Sequence, residues 1–80
     1  MTHTILRLPA IKTSTGLSRS TIYLRIAQGV FPKPVSLGGR AVGWPASEVE
    51  ALNAARISGK SNSEIRDLVV KLEAARKKAA

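Results

Sequence analysis

Apolar residues recur three or four positions apart in several stretches of the chain, which is the spacing of one face of an α-helix. The first predicted helix begins near Pro9 and ends before Gly16, because proline suits a first helical turn and glycine often follows a last one. The second covers residues 19–28, with Ser18 as its N-cap and Gly29 beyond its end. The residues expected to pack between these two helices are Ile22, Ile26, Leu8, Ile11 and Leu17.

Two further helices are predicted in the second half of the chain. One starts at Pro45, has Val49 and Leu52 on its inner side and ends near Ile57. The other opens with a capping box, in which Ser61 caps the helix and a glutamate follows three residues later. Its apolar stripe suits either packing on the rest of the chain or self-association, and consists of Ile65, Leu68, Val69 and Leu72.

Between the second and third helices the pattern becomes that of a β-ribbon. The two prolines of F-P-K-P exclude a helix there. Residues 35–37 and 41–44 place apolar side chains at alternate positions, and residues 38–40 supply a glycine turn between them. An isolated ribbon is only marginally stable, so one face should pack on the helices through Val35, Leu37, Val42 and Trp44. Residues 4–7 form a short extended segment before the first helix.

These elements predict a single small domain that is mainly α with a small β-hairpin. Two helices joined through Gly16-Leu17-Ser18 match the helix-turn-helix motif, and a hairpin beside them makes a winged helix-turn-helix. We therefore expect a winged helix-turn-helix head over residues 1–57, a linker over residues 58–60 and a C-terminal amphipathic helix over residues 61–80.

The charge of the chain indicates the kind of partner. Lys and Arg number 13 and Asp and Glu number 5, which gives a net charge of +8 in 80 residues. Such a positive field favours polyanions, with nucleic acid ahead of an acidic membrane surface. No apolar run approaches the roughly 20 residues of a membrane span, and the start lacks a signal-peptide core. No membrane partner and a cytoplasmic, nucleoid-associated location are therefore expected.

The side chains needed for catalysis or metal binding are scarce. There is no cysteine, the single histidine is His3, and the few acids offer no nucleophile–base arrangement. The chain has only one Trp, one Tyr and one Phe, so its hydrophobic core is small and cannot enclose a large substrate cavity. We therefore expect no enzymatic activity, no cofactor and no metal site.

The second helix carries side chains suited to reading a DNA groove. Arg19 is able to donate two hydrogen bonds to guanine or to hold a phosphate, and Ser20 to bond either a base or a phosphate. Tyr23 suits a sugar or a thymine methyl group, and Leu24 suits an apolar groove contact. Ser18, primarily the cap, also lies where phosphate is favoured. The structural alternatives are that Tyr23 is a core aromatic and Arg19 a solvated charge.

Three more cations extend this candidate interface. Arg25 falls towards the Ile22 side of the helix, so a DNA contact and a position at the core edge are both open. Arg40 follows two glycines at the ribbon tip, from which a wing reaches phosphate or the minor groove. Lys33, between two prolines, is either a phosphate contact or a solvated lysine.

Several motifs in combination resemble the AlpA family of small phage and prophage regulators. They are I-L-R-L-P, T-G-L-S-R-S-T-I-Y, G-V-F-P-K-P-V-S-L-G-G-R-A-V-G-W and S-E-V-E-A, in this order within residues 5–57. The resemblance implies a head related to MerR-type regulators and phage excisionases. It also implies that the recognition helix carries Arg19, Ser20 and Tyr23, and that the wing carries Arg40. The order Leu24 then Arg25 departs from the family, in which many members have the basic residue first.

The residues point to DNA binding, and the resemblance implies that the function is sequence-specific DNA-binding regulation of phage or prophage genes. Residues 19–28 would lie in the major groove and residues 35–44 on the backbone or in the minor groove. The alternatives are an excisionase-like DNA-bending factor for recombination or packaging, and a protein-interaction adaptor that does not bind DNA specifically. Besides double-stranded DNA, the expected partners are a second copy, through residues 61–80 or cooperatively on DNA, and either integrase or RNA polymerase.

Overall fold

The computed structural model describes the backbone of residues 4–79 and the side chains of residues 4–76, so His3 lies outside the described residues. A short strand and two helices are followed by a hairpin and two further helices. These elements are β1 (Ile5–Leu6), α1 (Leu8–Thr15), α2 (Arg19–Ala27), β2 (Val35–Gly38), β3 (Ala41–Pro45), α3 (Ala46–Ile57) and α4 (Asn62–Ala79). The prediction of a mainly helical domain with a small hairpin is confirmed.

Helices α1 and α2 are joined by a tight turn. Gly16 follows α1 with a φ of 71°, in the left-handed region that favours glycine. Ser18 then caps α2, because its Oγ accepts a hydrogen bond from the Thr21 N–H at 3.3 Å. The predicted turn and cap are confirmed, and α2 ends one residue earlier than predicted, at Ala27.

Strand β3 lies at the centre of a three-stranded antiparallel sheet with the order β1-β3-β2. Its register places Leu6 opposite Trp44 and Val35 opposite Gly43. The close approach of β1 requires the glycine, because a Cβ at Gly43 would lie 2.5 Å from Ile5 Cγ2 and 3.0 Å from the Leu6 carbonyl oxygen. The segment that the sequence predicted only as extended therefore adds a third strand to the hairpin.

The prediction that four alternating residues of the ribbon share one face is wrong. Residues directly opposite each other in an antiparallel pair point to the same face, and Val35 is opposite Gly43. Val35 therefore lies on the face opposite to Val42 and Trp44. Leu37 also lies on the Gly43 face, because a Cβ added at Gly43 would be 3.3 Å from Leu37 Cδ1. The Leu37 side chain is 44% exposed. The register between strands decides the face, and alternation within each strand does not encode it.

Among the described residues, one hydrophobic core joins the helices to the sheet. Trp44 is fully buried, its Nε1–H donates to the Pro32 carbonyl at 2.9 Å, and its ring meets the Phe31 ring edge-on at 6.1 Å. Helix α4 contributes to this core, so it packs on the head, which is one of the two arrangements that its stripe allowed. The buried hydrophobic residues are Ile11, Ile22, Val30, Phe31, Trp44, Val49, Leu52, Ile65 and Val69.

The boundaries of the last two helices follow local hydrogen bonding. Helix α4 has the predicted capping box: the Ser61 N–H donates to Glu64 Oε1 at 3.2 Å, and the Glu64 N–H donates to Ser61 Oγ at 3.2 Å. Helix α3 begins after Pro45, which is the last residue of β3 and the N-cap rather than the first helical residue. The division of the chain into a head, a linker and a C-terminal helix stays a prediction.

Candidate nucleic-acid interface

The outward face of α2 presents the candidate groove-reading side chains. Tyr23 and Leu24 lie three and four residues after Ser20, so the three side chains share one side of the helix. Tyr23 is 39% exposed and Leu24 is 56% exposed, whereas Ile22, on the opposite side, is fully buried. The alternative that Tyr23 is a core aromatic is therefore wrong.

Arg19 and Tyr23 form a pair on this outward face. The guanidinium Cζ of Arg19 lies 5.6 Å from the centroid of the Tyr23 ring, which is a cation–π distance. Both side chains are exposed, so the N–H groups at the edge of the guanidinium remain accessible to a ligand. The ring supports the planar donor of Arg19 without neutralising its charge.

The N-terminal turn of α2 is polar and exposed. Ser18 Oγ lies 2.9 Å from Thr21 Oγ1 and 3.3 Å from Ser20 Oγ, so three hydroxyl groups cluster there. No acidic side chain occupies the first turn of α2. Backbone N–H groups at a helix start lack partners within the helix and attract anionic oxygens. Ser18 thus acts as the cap, and its contact with phosphate stays a prediction.

Arg25 lies apart from the outward face of α2. It is half-buried and borders a cavity together with Arg56 of α3. Burial and, to a smaller extent, the positive charge of Arg25 lower the pKa of Arg56. The structure places Arg25 at the edge of the core, which was one of the two alternatives, and its contact with DNA stays a prediction.

The turn between β2 and β3 exposes Arg40. Gly38 and Gly39 precede it with φ values of 104° and 55°, which favour glycine. Ser36 Oγ accepts the Gly38 N–H at 3.3 Å and supports the start of the turn. The tip therefore has a defined backbone and an exposed cation, as the sequence predicted, and its contact with DNA stays a prediction.

Lys33 is fixed at the base of the hairpin by two residues of α4. Its N–H donates to Glu73 Oε2 at 2.8 Å, and its carbonyl oxygen accepts a hydrogen bond from Arg76 Nη2 at 2.7 Å. Its side chain remains exposed. Sequence reasoning missed this link, because the partners are 40 and 43 residues away and no local pattern joins them.

Arg76 also neutralises Glu48, which is buried at the start of α3. Arg76 Nη2 donates to Glu48 Oε1 at 2.6 Å, and Arg76 Nε donates to Glu48 Oε2 at 2.9 Å. This two-pronged geometry is the strong form of an arginine–carboxylate pair. Hydrogen bonding to Glu48, opposed by burial, raises the pKa of Arg76. Arg76 is therefore engaged inside the protein and contributes little to an external cationic surface.

Two further observations concern metal ions and membranes. Within the described residues, no three or more His, Cys, Asp or Glu side chains gather closely enough to hold a metal ion. No helix in the described part of the chain has both the length and the apolar character that crossing a bilayer requires.

A helix-turn-helix with a hairpin, an exposed Arg19–Tyr23 pair on its second helix and Arg40 at the hairpin tip defines a protein of the winged helix-turn-helix class. The profile of the family described as Prophage CP4-57 regulatory protein (AlpA) matches residues 4–57. The chain belongs to the AlpA family, which confirms the resemblance carried by its motifs. The whole of α4, including its buried Ile65 and Val69, lies beyond the matched segment.

Two relatives extend the comparison. The chain is 54% identical over 55 residues to the uncharacterized protein ORF88 of Enterobacteria phage P4, an alignment that covers 69% of this chain and 62% of that protein. It is 40% identical over 52 residues to the DNA-binding transcriptional activator AlpA of Escherichia coli (strain K12), covering 58% of this chain and 74% of that protein. The chain therefore spans less than two thirds of the phage P4 relative. No solved structure matches it.

Proposed function

We propose that this protein is a sequence-specific DNA-binding transcriptional regulator of phage or prophage genes, with α2 as its recognition helix. The observation that carries the proposal is the outward face of α2, which is free of core packing. The side chains on this face or at its start are Ser18, Arg19, Ser20, Tyr23 and Leu24. The Escherichia coli relative, named as a DNA-binding transcriptional activator, supports the regulatory part of the proposal.

The chemistry of α2 suits the major groove, which is about 12 Å wide and admits one α-helix. Arg19 donates two hydrogen bonds to O6 and N7 of a guanine, while the Tyr23 ring limits its rotamers. Leu24 packs on a thymine methyl group. Ser18 and Ser20 bind phosphate oxygens near the helix N-terminus, where the dipole favours negative charge. Recognition in this arrangement needs no cofactor.

The hairpin supplies a second contact in this proposal. Arg40 enters the minor groove or binds a backbone phosphate beside it, and the side chain of Lys33 binds a phosphate at the base of the hairpin. A module of this size covers about 600–1,000 Å² on DNA, so useful specificity requires a second copy on an adjacent site.

A double substitution tests the assignment of α2. The probe is a duplex that the full 80-residue chain selects from a random pool, compared with a scrambled duplex. Arg19→Ala with Tyr23→Ala should lower the affinity for the selected duplex about 100-fold, because each base contact contributes about 1–3 kcal/mol of discrimination. Lys71→Ala, which removes one exposed positive charge from α4, is the matched control and should lower affinity only slightly.

The outcomes of this experiment are distinct. If the double variant melts at the temperature of the parent and binds the selected duplex with unchanged affinity, the recognition-helix assignment is wrong. If the chain selects no duplex from the pool, the proposal of sequence-specific binding fails as a whole. A phased-site gel-shift assay on the same duplex would reveal the bending expected of an excisionase-like factor.

A further inference from the structure

A cavity separate from the outward face of α2 lies between the helix-turn-helix and α3. Its volume is about 200 Å³. Leu17, Phe31 and Leu52 contribute to an apolar floor, while Arg25 of α2 and Arg56 of α3 stand among the lining residues. An apolar hollow with a few converging polar groups is the usual composition of a binding site.

The two arginines of this cavity lack a counter-ion among the described residues. Within the described part of the chain, salt bridges join Lys60 to Glu64 and Arg76 to Glu48, and neither of them includes Arg25 or Arg56. Arg56 Nη1 donates to the Asn62 Oδ1, a neutral acceptor at 3.1 Å. Each guanidinium carries five N–H donors, so most donors of the pair are available. Two like charges that approach each other beside an apolar surface favour the binding of an anion.

Helix geometry explains part of this arrangement. Arg25 and Arg56 each lie in the last turn of their helix, where the helix dipole favours a cation. The dipole accounts for one arginine on each helix. It does not account for both side chains lining the same cavity, with no carboxylate among the other lining residues.

We propose that this cavity binds an acidic peptide segment of a partner protein, in which a carboxylate bridges Arg25 and Arg56 and an adjacent apolar side chain enters the hollow. Charge complementarity identifies the acidic group, because guanidinium–carboxylate pairs form two parallel hydrogen bonds. The apolar lining, of which Leu17 is half-buried while Phe31 and Leu52 belong to the core, identifies its neighbour as a hydrophobic residue. A volume of about 200 Å³ limits the occupant to one such side chain.

The same features disfavour a DNA phosphate as the occupant. A phosphate would satisfy the arginines but would leave the accessible part of the apolar lining, at Leu17, uncovered. Arg25 also lies two residues after Tyr23, about 200° around the helix, so it points away from the proposed groove-reading side. The proposal is therefore independent of DNA recognition, and a peptide and a duplex would occupy different sides of α2.

Peptide binding by the full chain tests this inference. The probe is a fluorescein-labelled peptide, Gly-Asp-Leu-Phe-Glu-Gly, measured by fluorescence anisotropy at low salt. One control, Gly-Asn-Leu-Phe-Gln-Gly, lacks the carboxylates, and another, Gly-Asp-Ala-Ala-Glu-Gly, lacks the large apolar side chains. The first peptide should bind about tenfold more tightly than either control, because one control loses the charged hydrogen bonds and the other loses the burial of a large side chain.

Protein variants locate the site. Arg25→Ala and Arg56→Ala should each weaken binding of the acidic peptide about tenfold. Lys71→Ala removes the same charge from α4 and should leave peptide binding nearly unchanged. If a variant fails to fold, the site is located instead by NMR titration of the parent chain with the acidic peptide. The signals of Phe31 and Leu52 should then shift, and those of Leu24 should not.

Two results would overturn the inference. Equal affinity for the acidic apolar peptide and its alanine control would mean that the cations attract any anion without using the cavity. Loss of duplex affinity in Arg25→Ala and Arg56→Ala, with no measurable peptide binding to the parent chain, would assign the cavity to DNA phosphate. The proposed groove contacts are on another face of α2. Either of these two results would therefore overturn the peptide proposal and leave the test of Arg19 and Tyr23 unaffected.

Discussion

Helices α2 and α4 both carry arginines but use them differently. Arg19 of α2 is exposed and contacts the ring of Tyr23. Arg76 of α4 forms hydrogen bonds to Glu48 and to the Lys33 carbonyl, and Arg66 donates to the Gln28 carbonyl at 3.0 Å. These two arginines of α4 therefore join the helix to the rest of the protein, whereas Arg19 remains accessible to an external anion.

This difference shows why net charge alone does not locate a nucleic-acid surface. The chain has a charge of +8, and a count of charges treats Arg19 and Arg76 alike. Arg76 is engaged with a buried carboxylate, so its charge is largely compensated within the fold. Exposed cations with no internal carboxylate partner are the ones that a polyanion meets first.

The largest expected effect concerns α4. Arg76→Ala should lower the free energy of unfolding by about 3 kcal/mol, because it leaves Glu48 buried without its cation. Urea denaturation at neutral pH measures this change. Lys71→Ala, which removes an exposed cation from the same helix, is the matched control and should alter stability by less than about 1 kcal/mol. Equal losses in the two variants would contradict the difference drawn between internal and accessible cations.

The next effect concerns α2. Arg19→Lys keeps the positive charge but removes the planar two-donor geometry. Affinity for a selected duplex should fall about tenfold or more, while affinity for a scrambled duplex and the urea midpoint should stay nearly constant. Parallel binding titrations on the two duplexes measure the change in affinity for the selected sequence and the change for the scrambled sequence. A uniform loss on both duplexes would assign Arg19 to phosphate rather than to a base.

A smaller effect is expected for the two hairpin cations. Arg40→Ala and Lys33→Ala should each weaken binding to all duplexes alike and reduce the slope of log affinity against log salt by about one. Binding measured over a salt series gives this slope. An unchanged slope in either variant would remove that side chain from the proposed interface.

The smallest effect concerns the start of α4. Hydrogen bonds from the backbone and side chain of Ser61 lower the pKa of Glu64. A depressed folded-state pKa means that the ionised Glu64 stabilises the helix above its unfolded-state pKa, and that this contribution is lost as the pH falls through the folded-state pKa. Wild type and Glu64→Gln should therefore differ slightly in urea midpoint at neutral pH and converge in acid. A difference that grows in acid would contradict the capping-box role.

Local signals in the sequence were sufficient for most of the fold. Gly16 and Ser18 specify the turn because left-handed φ and side-chain capping depend on one or two residues. The capping box at Ser61 was equally local. The face of the ribbon was not local, because the pairing of Val35 with Gly43 depends on the register between strands.

The candidate site divides in the same way. The exposed side of α2 follows from helical period, which placed Tyr23 and Leu24 among the candidate groove contacts, whereas a core position for Tyr23 was excluded only by its exposure in the structure. The link from Lys33 to Glu73 and Arg76 arises only when distant segments pack, and no sequence period reports it. The shared cavity of Arg25 and Arg56 has the same origin, since the two residues belong to different helices.

Intermolecular NMR contacts would test the groove-reading role of α2 most directly. The isotope-labelled chain would be bound to the duplex it selects, and nuclear Overhauser effects from side chains to DNA would be assigned. If α2 lies in the major groove, cross-peaks should join the Tyr23 ring and the Leu24 methyl groups to base protons or thymine methyl groups. Cross-peaks confined to α4, with Tyr23 and Leu24 unchanged from the unbound protein, would contradict that placement.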